Sequence, residues 1–202
     1  MFERASIVVV ALASLLASGH SLAAPDYIPA VWKSQSLEFA YRGTTTAYSC
    51  TTLQRRLEAI LRSVGARDTL SVVMQRCTDQ ADAYVQIKLE SPVEATEENV
   101  AAATRHDSQA VLIAKVRNET LPAAAEDVAR FPAEWKTISM SRDRQLKLES
   151  GDCELVKQLR NEVFPRLSIR IVHDNLRCSV AFSNLGQPQL SIAALVPAPN
   201  VD

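Results

Sequence analysis

The side chains with the most chemical reach in this sequence are four cysteines, Cys50, Cys77, Cys153 and Cys178. Four thiols suggest a metal site first. Zinc knuckles need pairs separated by two to four residues, whereas the segments between these cysteines are 26, 75 and 24 residues long. No CxxC pair exists, so a thioredoxin-type redox couple has no support either. Neither a metal nor a cofactor is expected. What remains is disulfide chemistry, with two bridges and three pairings that four cysteines allow.

Nucleophilic catalysis requires a base. Beyond the N-terminal segment the chain holds only His106, in ATRHDSQ, and His173, in IVHDNLRC. Ser108 lies close to His106, but groups so near in sequence seldom form a working triad, and the expected role is that of a surface-loop histidine. Motifs of the GxSxG, HExxH, P-loop and GxGxxG types are absent. Glu94, Glu97 and Glu98 are clustered as glycosidase carboxylates can be. They fall in a loop-like segment with no apolar frame to shift their pKa values, which predicts a solvated acidic loop. Arg55, Arg56 and Arg62 flank one predicted helix, where they could dock an anionic partner or form the wet face of that helix. Trp32 and Trp135 could stack on a ligand, although their matching positions favour packing in the core or at a sheet edge. The expected site residues are therefore the four cysteines as structural bridges, with no catalytic, cofactor-binding or metal-binding residue.

Composition narrows the field further. A net charge of -1 and a pI of about 6.3 give no field for nucleic acid or for a polybasic membrane anchor. Aromatic residues at 5% and only 5 glycines disfavour stacking platforms and phosphate-cradling loops. The N-terminal MFERASIVVVALASLLASGHSLAAPDY has Arg4 in a short charged start, an apolar run from Ala5 to Ala17, and small residues after it. That is the pattern of a secretory signal peptide, with Ser21 and Ala23 at the small positions before a cut after Ala23. The apolar run is short for a membrane span, and no cysteine follows the cut to carry a lipid. The expected destination is the periplasm or beyond, an oxidising compartment, with no stable membrane anchor after cleavage.

Positioning the cysteines falls to two similar segments. Trp32-Lys33 and Trp135-Lys136 each precede a cysteine by 18 positions, Cys50 and Cys153. Leu53, Leu57 and Leu61 then match Leu155, Leu159 and Val163 after one deletion, and Arg76-Cys77 matches Arg177-Cys178. Two copies at so long a period read as a duplicated supersecondary unit. In the first copy QSLEFAY alternates as a half-buried strand. Thr51 and Gln54 resemble a capping box, and Leu53, Leu57, Ile60, Leu61 and Val64 form one helical stripe. Gly65 supplies the stop, and TLSVVMQRC and AYVQIKLES read as strands. In the second copy Asp152 is the N-cap, Pro165 ends the helix, RLSIRIVH turns Leu167, Ile169 and Ile171 inward, and QLSIAALVP is the last strand. Between the copies the acidic, Ala-rich stretch after Glu94 reads as a linker, QAVLIAKVR as a strand and PAAAEDVARF as a short helix. The repeat also selects the pairing: Cys50 with Cys77 and Cys153 with Cys178 clamp each helix to its sheet. Each closes a loop of about 25 residues, worth roughly 3.5 kcal/mol by chain entropy.

The fold class is thus α+β: two pseudo-repeated β-α-β-β units, a mainly antiparallel sheet with one helix per unit, each unit stapled by a disulfide. Residues 1–23 are assigned to the signal peptide, 24–93 to the first unit, 94–131 to the connecting segment and 132–202 to the second unit. Because each unit is small for a core of its own, a shared sheet is expected. The pattern YSCTTLQ…GAR…V…C followed by GDCELVKQL resembles a family of small exported, disulfide-containing proteins of Gram-negative bacteria. The resemblance spans Trp32 to about Pro197, implies export, and carries no activity or site residues. The leading functional expectation is a non-catalytic binding or structural module acting on a protein or envelope component. The alternatives are a hydrolase built around His106 or His173 with a nearby carboxylate, and a soluble carrier of a small apolar ligand.

Overall fold

The computed structural model describes residues 26–44, 46–78, 82–106, 108–178 and 187–199. The expected signal peptide, residues 1–23, and its cleavage point lie outside the described residues. The elements run β1 (Ile28–Arg42), α1 (Cys50–Ser63), β2 (Ser71–Cys77), β3 (Asp82–Glu94), α2 (Glu97–Ala103) and α3 (Ser108–Arg117). They continue with β4 (Phe131–Ser139), α4 (Cys153–Glu162), β5 (Ile169–Asp174) and β6 (Leu190–Pro197). The six strands form one antiparallel sheet of order β2-β3-β1-β4-β6-β5. The strand-helix-strand-strand plan recurs, and the two copies meet through their first strands.

The register makes the duplication explicit. Ala30 pairs with Glu94 in β1·β3, and Ala133 pairs with Pro197 in β4·β6. Both pairs keep the offset of Trp32 to Trp135, 103 residues (135 − 32). The seam pairs Ile28 with Ala133, Pro29 with Pro132 and Ala30 with Phe131, so a local twofold passes between the two prolines. Proline can sit inside this sheet because the N–H and C=O of one strand residue point to the same side. The Pro29 carbonyl accepts from Ala95 and the Pro132 carbonyl from Ala198, both at 2.9 Å, so each missing donor faces away from the seam.

Alternation along β1 sends Leu37, Phe39 and Tyr41 to the face that carries the helices. The seam register puts Ile138 of β4 and Ile192 and Ala194 of β6 on that same face. One core therefore joins them to Leu53, Leu57, Ile60 and Leu61 of α1 and to Leu155, Val156 and Leu159 of α4. The reverse face holds a smaller cluster of Ala30, Phe131, Ala133 and Leu195, with Trp32 and Trp135 at its margin. Both disulfides form as the repeat requires: Cys50–Cys77 and Cys153–Cys178, with sequence separations of 27 and 25. Each outer strand carries one irregularity, between Met74 and Arg76 in β2 and between Ile171 and His173 in β5.

Several local expectations are corrected. QAVLIAKVR is helix α3, not a strand: no strand pairs with it, and Asn118 at φ 56° ends it in the left-handed conformation. The Glu119 N–H reaches back to the Ala114 carbonyl (2.9 Å) and the Asn118 N–H to the Lys115 carbonyl (3.3 Å), which is the Schellman closure of a helix. The acidic stretch after Glu94 is not a loop throughout, because the Thr96 side chain caps α2 by accepting from the Asn99 N–H. PAAAEDVARF forms no helix; Asp127 closes a tight turn by accepting from the Ala124 N–H at 3.0 Å, and Phe131 already begins β4. The N-cap of α1 is Ser49, which accepts from Thr52, so Thr51 and Gln54 lie inside the helix and form no capping box. Ile171 is exposed, because β5 is an outer strand with its irregularity immediately after that residue.

Gly65 follows α1 with φ at 95°, where side-chain-bearing residues are strained. A Cβ there would lie 2.7 Å from the Leu195 carbonyl oxygen and 3.3 Å from the Pro92 ring. Gly65→Ala should therefore cost about 1–3 kcal/mol, measured as a lowered urea midpoint. Removing either disulfide by a double Cys→Ser change should cost about 3 kcal/mol. Non-reducing peptide mapping that joined Cys50 to Cys153 or Cys178 would overturn the pairing.

Candidate interaction surface

The buried polar centre of the molecule joins the two units. Asp152 is 2% exposed. Tyr48, in the turn before α1, donates its hydroxyl to Asp152 Oδ1 at 2.5 Å, and Arg56 of α1 brings Nε to the same oxygen at 3.4 Å. The Glu149 backbone N–H donates to Oδ2 at 2.7 Å. Arg56 also donates to the carbonyls of Leu146 and Lys147, at 3.1 and 2.9 Å. Close by, Tyr41 donates to the Thr46 carbonyl at 2.6 Å and meets the Tyr48 ring edge-on at 5.4 Å. Gln158 of α4 continues the bridge, accepting from the Arg42 N–H at 3.0 Å and donating to the Arg42 carbonyl at 2.7 Å.

The chemistry of this group is that of a clamp. Both Asp152 oxygens are engaged, and the carboxylate meets a cation and two further donors, as a buried charge requires. Burial, then the hydrogen bond to Asp152, pushes the Tyr48 phenol far above its ordinary value. Tyr41 is raised by burial, then by the charges of Glu154 and Asp152. Both tyrosines therefore stay protonated at neutral pH and act as donors, not as bases. Asp152 occupies the N-cap position of α4, yet its side chain caps no N–H of that helix; it serves the turn at Glu149 and the other unit instead. Arg56, read from the sequence as a docking or wet-face residue, belongs to this clamp. Arg55 turns back to the Thr51 carbonyl at 3.4 Å, and Arg62 pairs with exposed Asp68 at 3.2 Å.

The remaining sequence candidates are scattered. His173 is exposed on β5, beside Asp174, which forms an ion pair with Arg160. His106 precedes α3, with its Nε2 on the Pro122 carbonyl at 2.9 Å. Glu94 ends β3 and meets Arg170 at 3.4 Å, while Glu97 and Glu98 occupy the first turn of α2, where negative charge suits the helix dipole. Trp32 and Trp135 are covered by equivalent cations: the Arg67 guanidinium lies 5.2 Å from one ring centroid and that of Arg170 lies 3.8 Å from the other. Phe131 stacks on Trp32 at 4.7 Å. With cations and Phe131 against their rings, the tryptophans serve as packing and cation–π partners.

The feature that sequence reading missed is α3. Leu112 and Val116, four residues apart on one face, are 63% and 88% exposed, with Val111 and Ile113 exposed beside them. Ala114, on the opposite side, is the one buried among the described side chains of this helix. Helices that pack on a core turn their apolar stripe inward; α3 keeps a small residue inside and presents its branched aliphatics outside. The signals available were Lys115 and Arg117 in the last turn and Asn118 after it, a helix ending hidden by a composition rich in β-branched residues. A shallow, open depression of about 380 Å³ beside α3 is lined by residues including His106, Val111, Ala114 and Glu119. No family model, curated protein or solved structure matches the chain.

The clamp carries its own pH signature. The fold stabilises the phenol forms of Tyr41 and Tyr48, so their contribution is complete below the ordinary tyrosine pKa of about 10 and is lost as pH rises beyond it. Tm should be nearly level from about pH 7 to 9 and fall above about 10. Tyr48→Phe should lose about 1–3 kcal/mol at pH 7 by stripping a donor from a buried carboxylate and should show a shallower alkaline decline. An alkaline profile unchanged in that variant would count against the assignment.

Proposed function

We propose that this chain is an exported, non-catalytic binding module that engages a protein or envelope component through the outward face of α3. The observation that carries the reading is that α3 holds four exposed branched aliphatic residues, while among its described side chains only Ala114 is buried. Contiguous exposed apolar surface of this kind marks interaction sites in soluble domains. The two disulfides support an oxidising destination.

A second reading, hydrolysis, is favoured by one observation: His106 and Glu119 line the same depression. Its weakness is geometric, since His106 Nε2 is engaged by the Pro122 carbonyl and the depression is shallow and open. The carrier reading would require an enclosed apolar cavity between sheet and helices.

A photo-crosslinking residue at position 112, in cells exporting the protein, tests the leading reading. One component should be captured from position 112 and not from exposed Glu162 on α4. The same capture pattern from both positions, or capture abolished by His106→Ala together with loss of a measured hydrolytic activity, would count against it. Fractionation should recover a mature chain beginning at Ala24 outside the cytoplasm.

A further inference from the structure

We infer that the inner edge of β1, from Trp32 to Ala40, is a strand-addition site that takes an extended segment of another polypeptide. The inference does not rest on the α3 reading. In an antiparallel ladder the N–H and C=O of one residue point to the same side, and the side alternates along the strand. The Ala95 N–H donates to the Pro29 carbonyl, which fixes the phase: odd-numbered residues of β1 bond β3 and even-numbered ones face away from it. Ile28 and Ala30 use that far side to pair with β4. At the other end Gln158 holds the N–H and the carbonyl of Arg42, as a neighbouring strand would. Between these two points, among the described residues, no hydrogen bond reaches the backbone of Trp32, Ser34, Ser36, Glu38 or Ala40 on that side. Each of these residues thus presents one donor and one acceptor along a regular, extended stretch of strand.

The edge is open for a readable reason. Continuing the seam register past Ala30 and Phe131 would set residues 121–129 opposite Trp32 to Ala40. That chain is committed elsewhere: Asp127 closes its turn on Ala124, and Val128 is buried with Val31, Val93 and Val100. The outer edges of the sheet differ. β2 and β5 are each broken by an irregularity, a usual protection against pairing, whereas β1 keeps one register with β3 from Ala30 to Arg42. What fits is bounded at both ends. Phe131 occupies Ala30 and Gln158 occupies Arg42, so the site takes about nine extended residues. A second copy of β1 fits poorly, because antiparallel self-pairing across Ser36 sets Arg42 of each copy against Ala30 of the other, and both are already held. The flanking side chains Lys33, Ser34, Ser36 and Glu38 are exposed and polar, with charges of both signs. Recognition therefore comes from the main chain, as in strand addition generally. The partner is a strand-forming segment without proline at its inward-facing positions.

Amide hydrogen exchange, read residue by residue by NMR, tests this with a soluble probe, a lysine-capped nonapeptide of alternating threonine and valine. In the free monomer the amides of Ser34, Ser36 and Glu38 should exchange fast and those of Leu37 and Phe39 slowly. Adding the peptide should slow the first set, and its fully N-methylated form, which offers no donor, should not. Ser36→Pro removes an open-side N–H while leaving the β3 ladder its donors, and should weaken binding about tenfold or more. Ser36→Ala should bind as the wild type does. Slow exchange at Ser34, Ser36 and Glu38 in a free monomer means that the edge is filled from within, and overturns the inference. Slow exchange with a dimeric mass assigns the edge to a second copy and overturns it too. So does unchanged exchange at millimolar peptide, or equal binding by a folded Ser36→Pro chain. If Ser36→Pro unfolds, the N-methylated peptide decides. Crosslinking from position 112 reads the α3 site independently of all these outcomes.

Discussion

Everything in this molecule depends on how two small units are held as one by a seam of only three residue pairs. Strands β1 and β4 overlap from Ile28 to Ala30 and from Phe131 to Ala133, with a proline on each side of the centre. So short a ladder contributes few hydrogen bonds. The units are therefore united mainly by the core that α1 and α4 share and by the Asp152 clamp. A buried carboxylate is costly unless its charge is met, and here the donors come from both units: Tyr48 and Arg56 from the first, the Glu149 backbone from the second. Separating the halves would expose the shared apolar surface and leave that charge short of partners in the same step.

This explains the distribution of chemistry. Polar groups that could have formed a reaction centre are occupied in joining elements: Arg56 with carbonyls of the second unit, Gln158 with the β1 edge, Arg67 and Arg170 with the tryptophans. Their equivalence across the repeat extends to the cation on each ring, since Arg67 and Arg170 keep the tryptophan offset. The connecting segment stands outside this scheme. Nothing in the twofold plan calls for α2 and α3: α2 buries Val100 against Val31 and Val93 of the sheet, whereas α3 leaves its branched aliphatic residues exposed.

Much of the framework was legible because strong periodicity reports on burial. Leu37, Phe39 and Tyr41 alternate, Leu53, Leu57 and Leu61 recur at helical spacing, and the cysteines sit at equivalent junctions, so strands, helices and bridges could be read directly. The connecting segment misled for a physical reason. Val111, Ile113 and Val116 carry strand propensity, but propensity yields to context, and the segment instead closes as a helix on left-handed Asn118. Its capping residues, Thr96 and Asn118, carried the correct information in single positions. The clamp was illegible for a different reason. Tyr48 and Asp152 are 104 residues apart, and no local pattern states that a carboxylate at one helix start will meet a phenol at the other.

A twofold plan with one offset throughout also makes each half a decoy for the other. During folding, β4 offers β3 a backbone ladder with the same geometry as β1, and Cys178 offers Cys50 a partner at an equivalent junction. Main-chain hydrogen bonds cannot tell these alternatives apart; side-chain content can. β1 is 15 residues long and lines the core with aromatics, whereas β4 is 9 residues long and contributes Ile138. The divergence between the copies is thus what lets the chain recognise which half is which, a case of repeated geometry requiring unlike contents.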